Sequence, residues 1–226
     1  MPVNLKQHYD TNWQRLEGYQ MSEKIARVGY ALLSHYPGRR CLDVGCGDGT
    51  NLEKLKQIGL DAWGCDISSV AVGKTRRKGF HAQVVDLNND KLPYKSGQFD
   101  IVWLTDVIEH VFWPESVIRE LSRITVPGGL LFISTPNVSW WGNRFQLLFG
   151  HTLTDIHPEH IHWYNHTGLI HLLTANNYAV VGEVSYKRLI PYPITAALPW
   201  LEALNPIAAP NSLFSFTFAV LARNRR

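Results

Sequence analysis

Short apolar runs alternate with stretches of helical spacing along most of this chain. The first 36 residues place apolar side chains at mixed three- and four-residue steps, which predicts helix until Pro37 and Gly38. Beyond them, apolar runs predict strands at residues 41–44, 62–65, 80–85, 99–104, 130–134, 178–185 and 213–222. Helical spacing and capping residues predict helices at 51–58, 69–78, 114–124 and 167–176, with Ser68 as the N-cap of the second. We expect the Pro-Gly-Gly sequence at 127–129 to break the chain before the fifth strand.

Strands separated by helices of about ten residues predict a parallel sheet with helices on both faces. We therefore expect an α/β, Rossmann-like fold with a mostly parallel seven-stranded sheet, in a single domain of residues 1–226. Its expected parts are an N-terminal helical region (1–36), a ligand-binding core (37–136), a lid insertion after strand five (137–165) and a C-terminal part (166–226) with a proline-rich apolar insertion (189–211). Ligands of such sheets bind beyond the carboxyl ends of the strands.

A glycine-rich turn follows the first predicted strand, with glycines at Gly45, Gly47 and Gly49. Glycine permits positive φ, and the helix start after the turn offers unpaired N–H groups to a ligand. Asp66 and Asp86 end the next two strands, and Asp66 follows Gly45 by 21 residues, the spacing of an acid that binds ribose hydroxyls. The glycine spacing differs from that of dinucleotide-binding enzymes, while Asp43 and Asp48 make the turn acidic. A nucleoside that carries positive charge suits these features.

The turn sequence DVGCGDG, at residues 43–49, resembles the first motif of class I S-adenosylmethionine-dependent methyltransferases. Asp66 stands at the ribose-binding position of that family, and Asp86 with Leu87 at its adenine-contacting position. Segments 99–102 and 127–130 are similar to its fourth and fifth strand motifs. The resemblance is close over residues 39–136 and looser elsewhere. It implies S-adenosyl-L-methionine as the cofactor and a methyltransferase that acts on a small molecule.

Carried over to this chain, the resemblance implies a set of cofactor-binding residues. The glycine turn is expected to hold the amino-acid end of the cofactor, Asp66 the ribose hydroxyls and Asp86 the adenine amino group. Residues just after the fourth strand are expected near the sulfonium. The complete set is Asp43, Gly45, Cys46, Gly47, Gly49, Asp66, Ile67, Asp86, Leu87, Leu104 and Thr105.

Methyl transfer to oxygen or nitrogen also needs a base, which we expect on elements after strands four and five. Asp106, Glu109 and His110 have the spacing of one helical face, so we expect them to meet a common atom. Ubiquinone-biosynthesis O-methyltransferases and small-RNA 2′-O-methyltransferases have a similar acid-x-x-Glu-His segment, and some of them hold a divalent metal there. For this chain we expect no metal, and these three residues are the candidates should one bind.

The second candidate for the base is a histidine-rich segment after the fifth strand. Six histidines fall within 21 residues, at His151, His157, His160, His162, His166 and His171. Neutral imidazole is an effective base near physiological pH. Alternation along 160–164 predicts that His160 and His162 share one side of an extended segment. The predicted catalytic set is therefore His160, His162, Glu109 and His110.

Paired tryptophans, Trp140 and Trp141, lie near the start of the expected lid insertion, and Arg144 follows them. One interpretation is the wall of a substrate pocket, in which Arg144 binds an anion. The other is the core of a small lid packed on the apolar side chains of 145–148. The proline-rich insertion is expected to complete the lid and favours an apolar or aromatic acceptor.

Composition and charge narrow the partners. The chain has 226 residues, and its 22 Lys+Arg against 19 Asp+Glu give a net charge of +3, which does not favour nucleic acid. Three cysteines without a CxxC pair, and an N-terminus without a signal-peptide pattern, favour a cytoplasmic protein. Five prolines interrupt the apolar stretch 189–222, so we expect contact with a partner or a lipid surface there and no membrane span.

From DVIEHV at 106–111 through TPN at 135–137 to HWYN at 162–165, the sequence is also similar to MetW-like proteins. These proteins have the methyltransferase fold and act as partners of a homoserine acyltransferase. This chain differs from them after Gly150. The expected function is methyl transfer to a small molecule, with an oxygen nucleophile on an aromatic, lipid-like or sugar acceptor. The alternative is a cofactor-binding partner protein without catalysis, and the sequence leaves the oligomeric state open.

Overall fold

The computed structural model describes residues 5–15, 23–36, 39–156, 158–190, 195, 197–210 and 213–226. Within these residues the strands are β1 (Arg40–Val44), β2 (Asp61–Asp66), β3 (His81–Val84), β4 (Phe99–Thr105), β5 (Thr125–Pro136), β6 (Tyr178–Lys187), β7 (Ile207–Ala208) and β8 (Ser215–Asn224). The helices are α1 (Leu5–Arg15), α2 (Glu23–Leu33), α3 (Thr50–Gln57), α4 (Ser69–Arg77), α5 (Pro114–Ile124), α6 (Trp141–Leu148), α7 (Leu153–Ile156) and α8 (His166–Ala175). Two 3-10 helices span Ile108–His110 and Pro199–Leu204.

One mixed sheet holds these strands in the order β3-β2-β1-β4-β5-β8-β6-β7. Strands β1 to β5 are parallel, whereas β8 runs antiparallel to both β5 and β6. The expected Rossmann-like α/β fold is confirmed, but the number of seven strands is wrong. The eighth strand is β7, a two-residue strand of the proline-rich insertion that pairs with β6 and is too short to leave a pattern in the sequence.

Helices cover both faces because the central strands alternate between two buried layers. Along β4, Val102 and Leu104 pack into one core with α5 and α8, and Ile101 and Trp103 pack into the other with α2 and α3. This double burial explains why the strands read as continuous apolar runs. The predicted N-cap of α4 is confirmed, since the Ser68 hydroxyl accepts a hydrogen bond from the Ala71 N–H at 3.1 Å.

The expected break at 127–129 is wrong, because β5 starts at Thr125 and continues through the Pro-Gly-Gly sequence. Thr125 pairs with Phe99, and the register then shifts before Leu130 pairs with Ile101. A Cβ on Gly129 would lie 2.7 Å from the Asp100 carbonyl oxygen, so glycine permits the close approach. The N-terminal region is helical in α1 and α2, and the residues between them lie outside the described part of the chain. No helix among the described residues combines the length and apolar character needed to cross a bilayer.

Candidate active site

A cavity of about 370 Å³ opens at the carboxyl ends of β1 to β4. Its volume lies within the range of roughly 300–1,000 Å³ that is typical of small-molecule sites. The predicted cofactor residues in its wall are Gly45, Asp66, Ile67, Asp86, Leu87 and Thr105. The others, which lie outside the wall, are Asp43, Cys46, Gly47, Gly49 and Leu104. The sequence therefore predicted one side of this cavity together with the layer behind it.

The glycine turn brings the backbone to the cavity. Gly45 and Gly47 have φ values of 78° and 53°, which favour glycine. A side chain on Gly45 would collide with Val107, and a Cβ on Gly47 would lie 2.6 Å from the indole ring of Trp13. Both glycines are therefore required by their neighbours as well as by their φ angles.

Asp66 holds the glycine turn in place through a hydrogen bond to its backbone. Its Oδ2 accepts a hydrogen bond from the Gly47 N–H at 2.9 Å, and its Oδ1 accepts one from the Ser68 N–H at 2.8 Å. Burial raises the pKa of this carboxyl group, although these backbone hydrogen bonds oppose the shift. The carboxylate is thus held in the cavity wall by two separate elements, the glycine turn and the start of α4.

Asp86 holds its own turn while it lines the cavity. Its Oδ1 accepts from the Asn88 N–H at 3.0 Å, and its Oδ2 accepts from the Asn89 side-chain amide at 2.7 Å. Strand β3 ends at Val84, slightly earlier than expected. The turn-capping contacts account for an acid at this position without any ligand, so the adenine contact stays a prediction.

Asp43 lies fully buried behind the cavity wall, and neither of its carboxylate oxygens has a hydrogen-bond partner within the described chain. Burial raises the pKa of Asp43 to about 8. The nearby charge of Asp66 raises this pKa further, whereas the polar side chain of Asn51 acts to lower it. An unpaired buried carboxyl group beneath a ligand turn is a feature that a positively charged ligand compensates.

Helix α1 closes the cavity, which the sequence did not predict. Its residues in the wall are Leu5, Tyr9, Asn12 and Trp13. Asp10 ties the helix to the start of α4, since its Oδ1 accepts from the Ser68 hydroxyl at 2.6 Å and from the Val70 N–H at 3.2 Å. At the other side, His8 Nε2 lies 3.0 Å from Glu159 Oε1. The signal for this closure in the sequence was the presence of two aromatic residues, Tyr9 and Trp13, on one amphipathic helix.

The expected helical face of Asp106, Glu109 and His110 does not form. Only residues 108–110 are helical, as one 3-10 turn, and Asp106 precedes them with a left-handed φ of 53°. Asp106 lies at the cavity and accepts from the Ser134 hydroxyl at 3.1 Å, and burial raises its pKa to about 6. The prediction that the three side chains meet at one atom is therefore wrong, because the left-handed φ of Asp106 interrupts the helical spacing.

Glu109 is buried behind the wall. Its Oε2 accepts from the Thr135 hydroxyl at 3.1 Å, while its Oε1 has no hydrogen-bond partner in the described structure. Burial, reinforced by the charge of Asp106, raises the pKa of Glu109 well above its usual range. A side chain that lies behind the cavity wall is not placed to act as the base.

His110 lines the cavity and has a defined tautomer. Its Nδ1 lies 2.9 Å from the carbonyl oxygen of Glu159, which can only accept, so Nδ1 carries the proton and Nε2 carries the lone pair. Burial lowers the pKa of His110 from its usual 6.5, although the Glu159 carbonyl and charge oppose the shift. The neutral imidazole with an available Nε2 has the properties of a general base.

His160 and His162 do not share one side of an extended segment, so that prediction is wrong. The N–H groups of Ile161 and His162 both donate to the Glu109 carbonyl, at 2.9 and 3.0 Å, and this bends the backbone between the two histidines. His160 lines the cavity with its ring 4.8 Å from that of His110. His162 lies outside the wall, with Nε2 3.4 Å from the Phe112 carbonyl oxygen.

A carboxylate and two imidazoles come together beside the cavity. The potential ligand atoms of Glu109, His110 and His160 all lie within 4.8 Å of one another. Carboxylate and imidazole are donors that suit zinc and other divalent transition metals. This set differs from the one expected from the sequence, since His160 takes the place of Asp106.

The remaining histidines do not join this group. His166 contacts Glu183 at 3.0 Å, His151 and His171 are exposed, and His157 lies outside the described residues. Among the described residues the cavity wall contains no lysine or arginine, although it includes four acids, at Asp66, Asp86, Asp106 and Glu159. The cavity therefore suits a ligand with positive charge and disfavours an anion.

The paired tryptophans fit neither sequence interpretation. Neither indole lines the cavity, and both Nε1 atoms donate to the Arg188 carbonyl oxygen at 2.9 Å. Trp140 packs edge-on against Phe216, with ring centroids 5.0 Å apart. The side chains at 145, 147 and 148, expected to pack inside a lid, are instead exposed, as is Arg144. The tryptophans anchor α6 to the sheet edge.

Comparison with known proteins gives a consistent assignment. Residues 13–183 match the family described as Methyltransferase domain. The chain is 32% identical over 140 residues to ubiquinone biosynthesis O-methyltransferase of Bordetella avium (strain 197N), in an alignment that covers 57% of this chain and 56% of that protein. The match thus spans little more than half the length of this relative.

Two solved structures agree over most of their length. An S-adenosylmethionine-dependent methyltransferase from Mesorhizobium loti has a TM-score of 0.64 at 16% identity and covers 88% of this chain and 98% of its own. A SAM-dependent methyltransferase from Archaeoglobus fulgidus has a TM-score of 0.63 at 18% identity, with 96% and 100% covered. At these identities the likeness shows the fold.

The residues of the cavity fit S-adenosylmethionine, the cofactor named for both structures. Gly45 brings its backbone into the cavity wall, Asp66 presents a fixed carboxylate, and the wall has the charge that a sulfonium requires. The carboxyl group of Asp43, buried behind the turn with its pKa raised to about 8, would be stabilised in its charged form by a sulfonium nearby.

Proposed function

Since this chain belongs to the methyltransferase family, we propose that it transfers the methyl group of S-adenosylmethionine to a hydroxyl oxygen of a small, uncharged, aromatic acceptor. The observation that carries the proposal is the hydrogen bond from His110 Nδ1 to the Glu159 carbonyl. It leaves a neutral imidazole with its lone pair on Nε2 beside a cavity suited to the cofactor.

An oxygen acceptor is favoured by the need for this base. A hydroxyl must lose its proton as the new bond forms, and a phenol loses it more readily than an alcohol, whose proton is much less acidic. His110 takes up that proton at Nε2, while the Glu159 carbonyl stabilises the charged imidazole by accepting from Nδ1. His160, at 4.8 Å between ring centroids, restricts the orientation of the His110 ring.

When bound, S-adenosylmethionine supplies an activated methyl group, whose carbon–sulfur bond breaks as the acceptor oxygen bonds to the carbon. The protein contributes alignment and exclusion of water. Helix α1 covers the cavity through Tyr9 and Trp13, and the 108–110 turn lies beside it. The hydroxyl proton ends on His110, so the methylated oxygen and the sulfur are both electrically neutral after the transfer.

The charge of the cavity supports an uncharged acceptor. A carboxylate or phosphate on the acceptor would face several acids and no lysine or arginine among the described wall residues. Repulsion between an acidic group on the acceptor and the acids of the wall disfavours binding. The name of the Bordetella avium relative, an O-methyltransferase of ubiquinone biosynthesis, is consistent with a phenolic acceptor that carries an apolar tail.

The experiment compares two acceptors that differ in one group. The protein is incubated with S-adenosylmethionine and either a prenylated catechol or the same ring with an added carboxylate, and the methylated products are measured by mass spectrometry. We expect the uncharged catechol to be methylated with a kcat/KM at least about tenfold higher. Cofactor binding without product from any phenol would contradict the proposal and favour a non-catalytic partner protein.

A further inference from the structure

Large exposed apolar side chains lie on two insertions outside the cavity wall. They come from the insertion after β5 and from the insertion between β6 and β8, and we call them the apolar platform: Phe145, Leu148, Phe149, Trp200, Leu204 and Phe214. Leu148 is 83% exposed, and Phe149 and Trp200 are each 69% exposed. Single exposed apolar residues are ordinary, but a group of this size marks an interaction surface.

Hydrogen bonds join the two insertions into one surface. The Trp141 N–H donates to the Leu213 carbonyl at 2.8 Å, and the Arg188 N–H donates to the Phe214 carbonyl at 3.0 Å. The N–H groups of Leu189 and Ile190 donate to Asn205 Oδ1 at 2.8 and 3.0 Å. Helix α6, the end of β6 and the 3-10 helix Pro199–Leu204 therefore share one framework.

The polar groups of this framework face inward. Glu202 accepts from the Tyr186 hydroxyl and from the Asn205 side-chain amide, and it pairs with Lys24 at 3.3 Å. The Lys24 ammonium group also donates to the carbonyl oxygens of Glu202 and Asn205, at 3.0 and 3.1 Å. These contacts bind the polar side of the second insertion to α2 and β6 and leave Trp200 and Leu204 outside.

The charge of the platform identifies its partner. Residues 137–155 contain two charged side chains, the exposed Arg144 and Asp155, whose carboxylate accepts from the N–H and hydroxyl of Thr152. Residues 189–214 contain only Glu202, which is already paired. Apolar projections with an arginine at their edge, and with both nearby carboxylates already hydrogen-bonded within the protein, match a bilayer with anionic headgroups. We propose that the apolar platform binds the surface of such a bilayer.

The location of the platform gives this contact a use. Strands β5 and β6 both run antiparallel to β8, so their carboxyl ends lie at the same edge of the sheet as the cavity. A protein resting on lipid through this edge meets an apolar acceptor where that acceptor is dissolved. The proposal goes beyond the proposed function and does not depend on it, because lipid binding is measurable without methyl transfer.

The test is co-sedimentation of the full chain with vesicles. One set consists of phosphatidylcholine, and the other is an equal mixture of phosphatidylcholine and phosphatidylglycerol. We expect binding to both, tighter to the anionic set and weakened there by added salt. Arg144→Gln is expected to reduce binding about fivefold on anionic vesicles only, the effect of one basic residue near a charged surface.

Leu148→Ser and Trp200→Ser test the apolar contribution. Each is expected to weaken binding to both vesicle sets about tenfold, because a large side chain no longer enters the lipid. Leu32→Ser, at a leucine of α2 that is 45% exposed and lies outside the platform, is the matched control and is expected to bind like the unaltered protein. Since all three positions are exposed, melting temperatures are expected to stay unchanged.

Three outcomes would overturn the proposal. The first is no co-sedimentation of the unaltered protein with either vesicle set. The second is an equal loss in Leu32→Ser and Leu148→Ser, which would make the effect nonspecific. The third is a dimer in solution that Leu148→Ser dissociates while vesicle binding is unaffected, which would assign the platform to a second copy of this chain.

Discussion

The Nδ1 atom of His110 donates a hydrogen bond to the carbonyl oxygen of Glu159 at 2.9 Å, across a separation of 49 residues. The bond connects the 3-10 turn after β4 with the insertion after β5. It fixes both the position of the imidazole and the nitrogen that carries its lone pair. The chemistry proposed for the site depends on this contact between two distant segments.

His110→Ala is predicted to lower kcat by about 10²- to 10⁴-fold, the usual contribution of a general base, with little change in cofactor affinity. Because burial lowers the pKa of His110 from its usual 6.5, the neutral base persists to more acidic pH than free imidazole. The kcat of the unaltered protein should therefore fall only as the pH drops through that lowered pKa. If the residual kcat of His110→Ala fell at acidic pH in the same way, this result would contradict the assignment of His110 as the base.

His160 and His162 provide a matched pair. His160→Ala is predicted to lower kcat/KM about tenfold or more, because it removes a ring from the cavity wall and a neighbour of His110. His162→Ala is predicted to leave kcat/KM nearly unchanged, since this side chain lies outside the wall. Steady-state kinetics with one phenolic acceptor compare the two, and equal losses would remove the distinction.

Asp66→Asn is predicted to weaken S-adenosylmethionine binding by about 1–3 kcal/mol, or roughly fivefold to 150-fold, because a buried charged acceptor is lost. Asp61→Asn is the control at the opposite end of β2, where the carboxylate is exposed and pairs with Arg40 at 3.3 Å. Titration calorimetry measures both affinities. Unchanged binding in Asp66→Asn would exclude the ribose contact.

Features set by the end of a strand were predictable from sequence. An apolar run fixes where a strand ends, and parallel strands bring their carboxyl ends to one edge, so Gly45, Asp66 and Thr105 fall at one cavity. The seven longer strands and the cap at Ser68 follow from equally local patterns.

Features set by distant backbone contacts were not predictable. The carbonyl of Glu109 accepts from both Ile161 and His162, and nothing in the spacing of the histidines reveals that partner. The left-handed φ of Asp106 likewise cancels the helical periodicity of its segment. Trp13 packs over Gly47 because α1 docks on α4, which is a tertiary contact between separate elements.

Gly47→Ala tests the packing of Trp13 of α1 over the glycine turn. The left-handed φ costs a residue with a side chain about 1–2 kcal/mol, and the new methyl group must also displace Trp13. We predict a lower free energy of unfolding and weaker cofactor binding. Gly73→Ala is the control, because nothing lies within 4 Å of its Cβ and alanine within a helix stabilises by up to about 1 kcal/mol. Urea unfolding and calorimetry distinguish the variants.

Chelation separates the two uses of the cluster formed by Glu109, His110 and His160. If His110 accepts the proton, its Nε2 must be unligated, and we predict that protein treated with a chelator retains methyl transfer. Added Zn²⁺ should then inhibit, because an ion bound by the two imidazoles would occupy that lone pair. Activity that disappears on chelation and returns with Mg²⁺ or Zn²⁺ would assign the cluster to a metal. In that case the ion would lower the pKa of the acceptor hydroxyl, and His110 would hold the ion instead of accepting the proton.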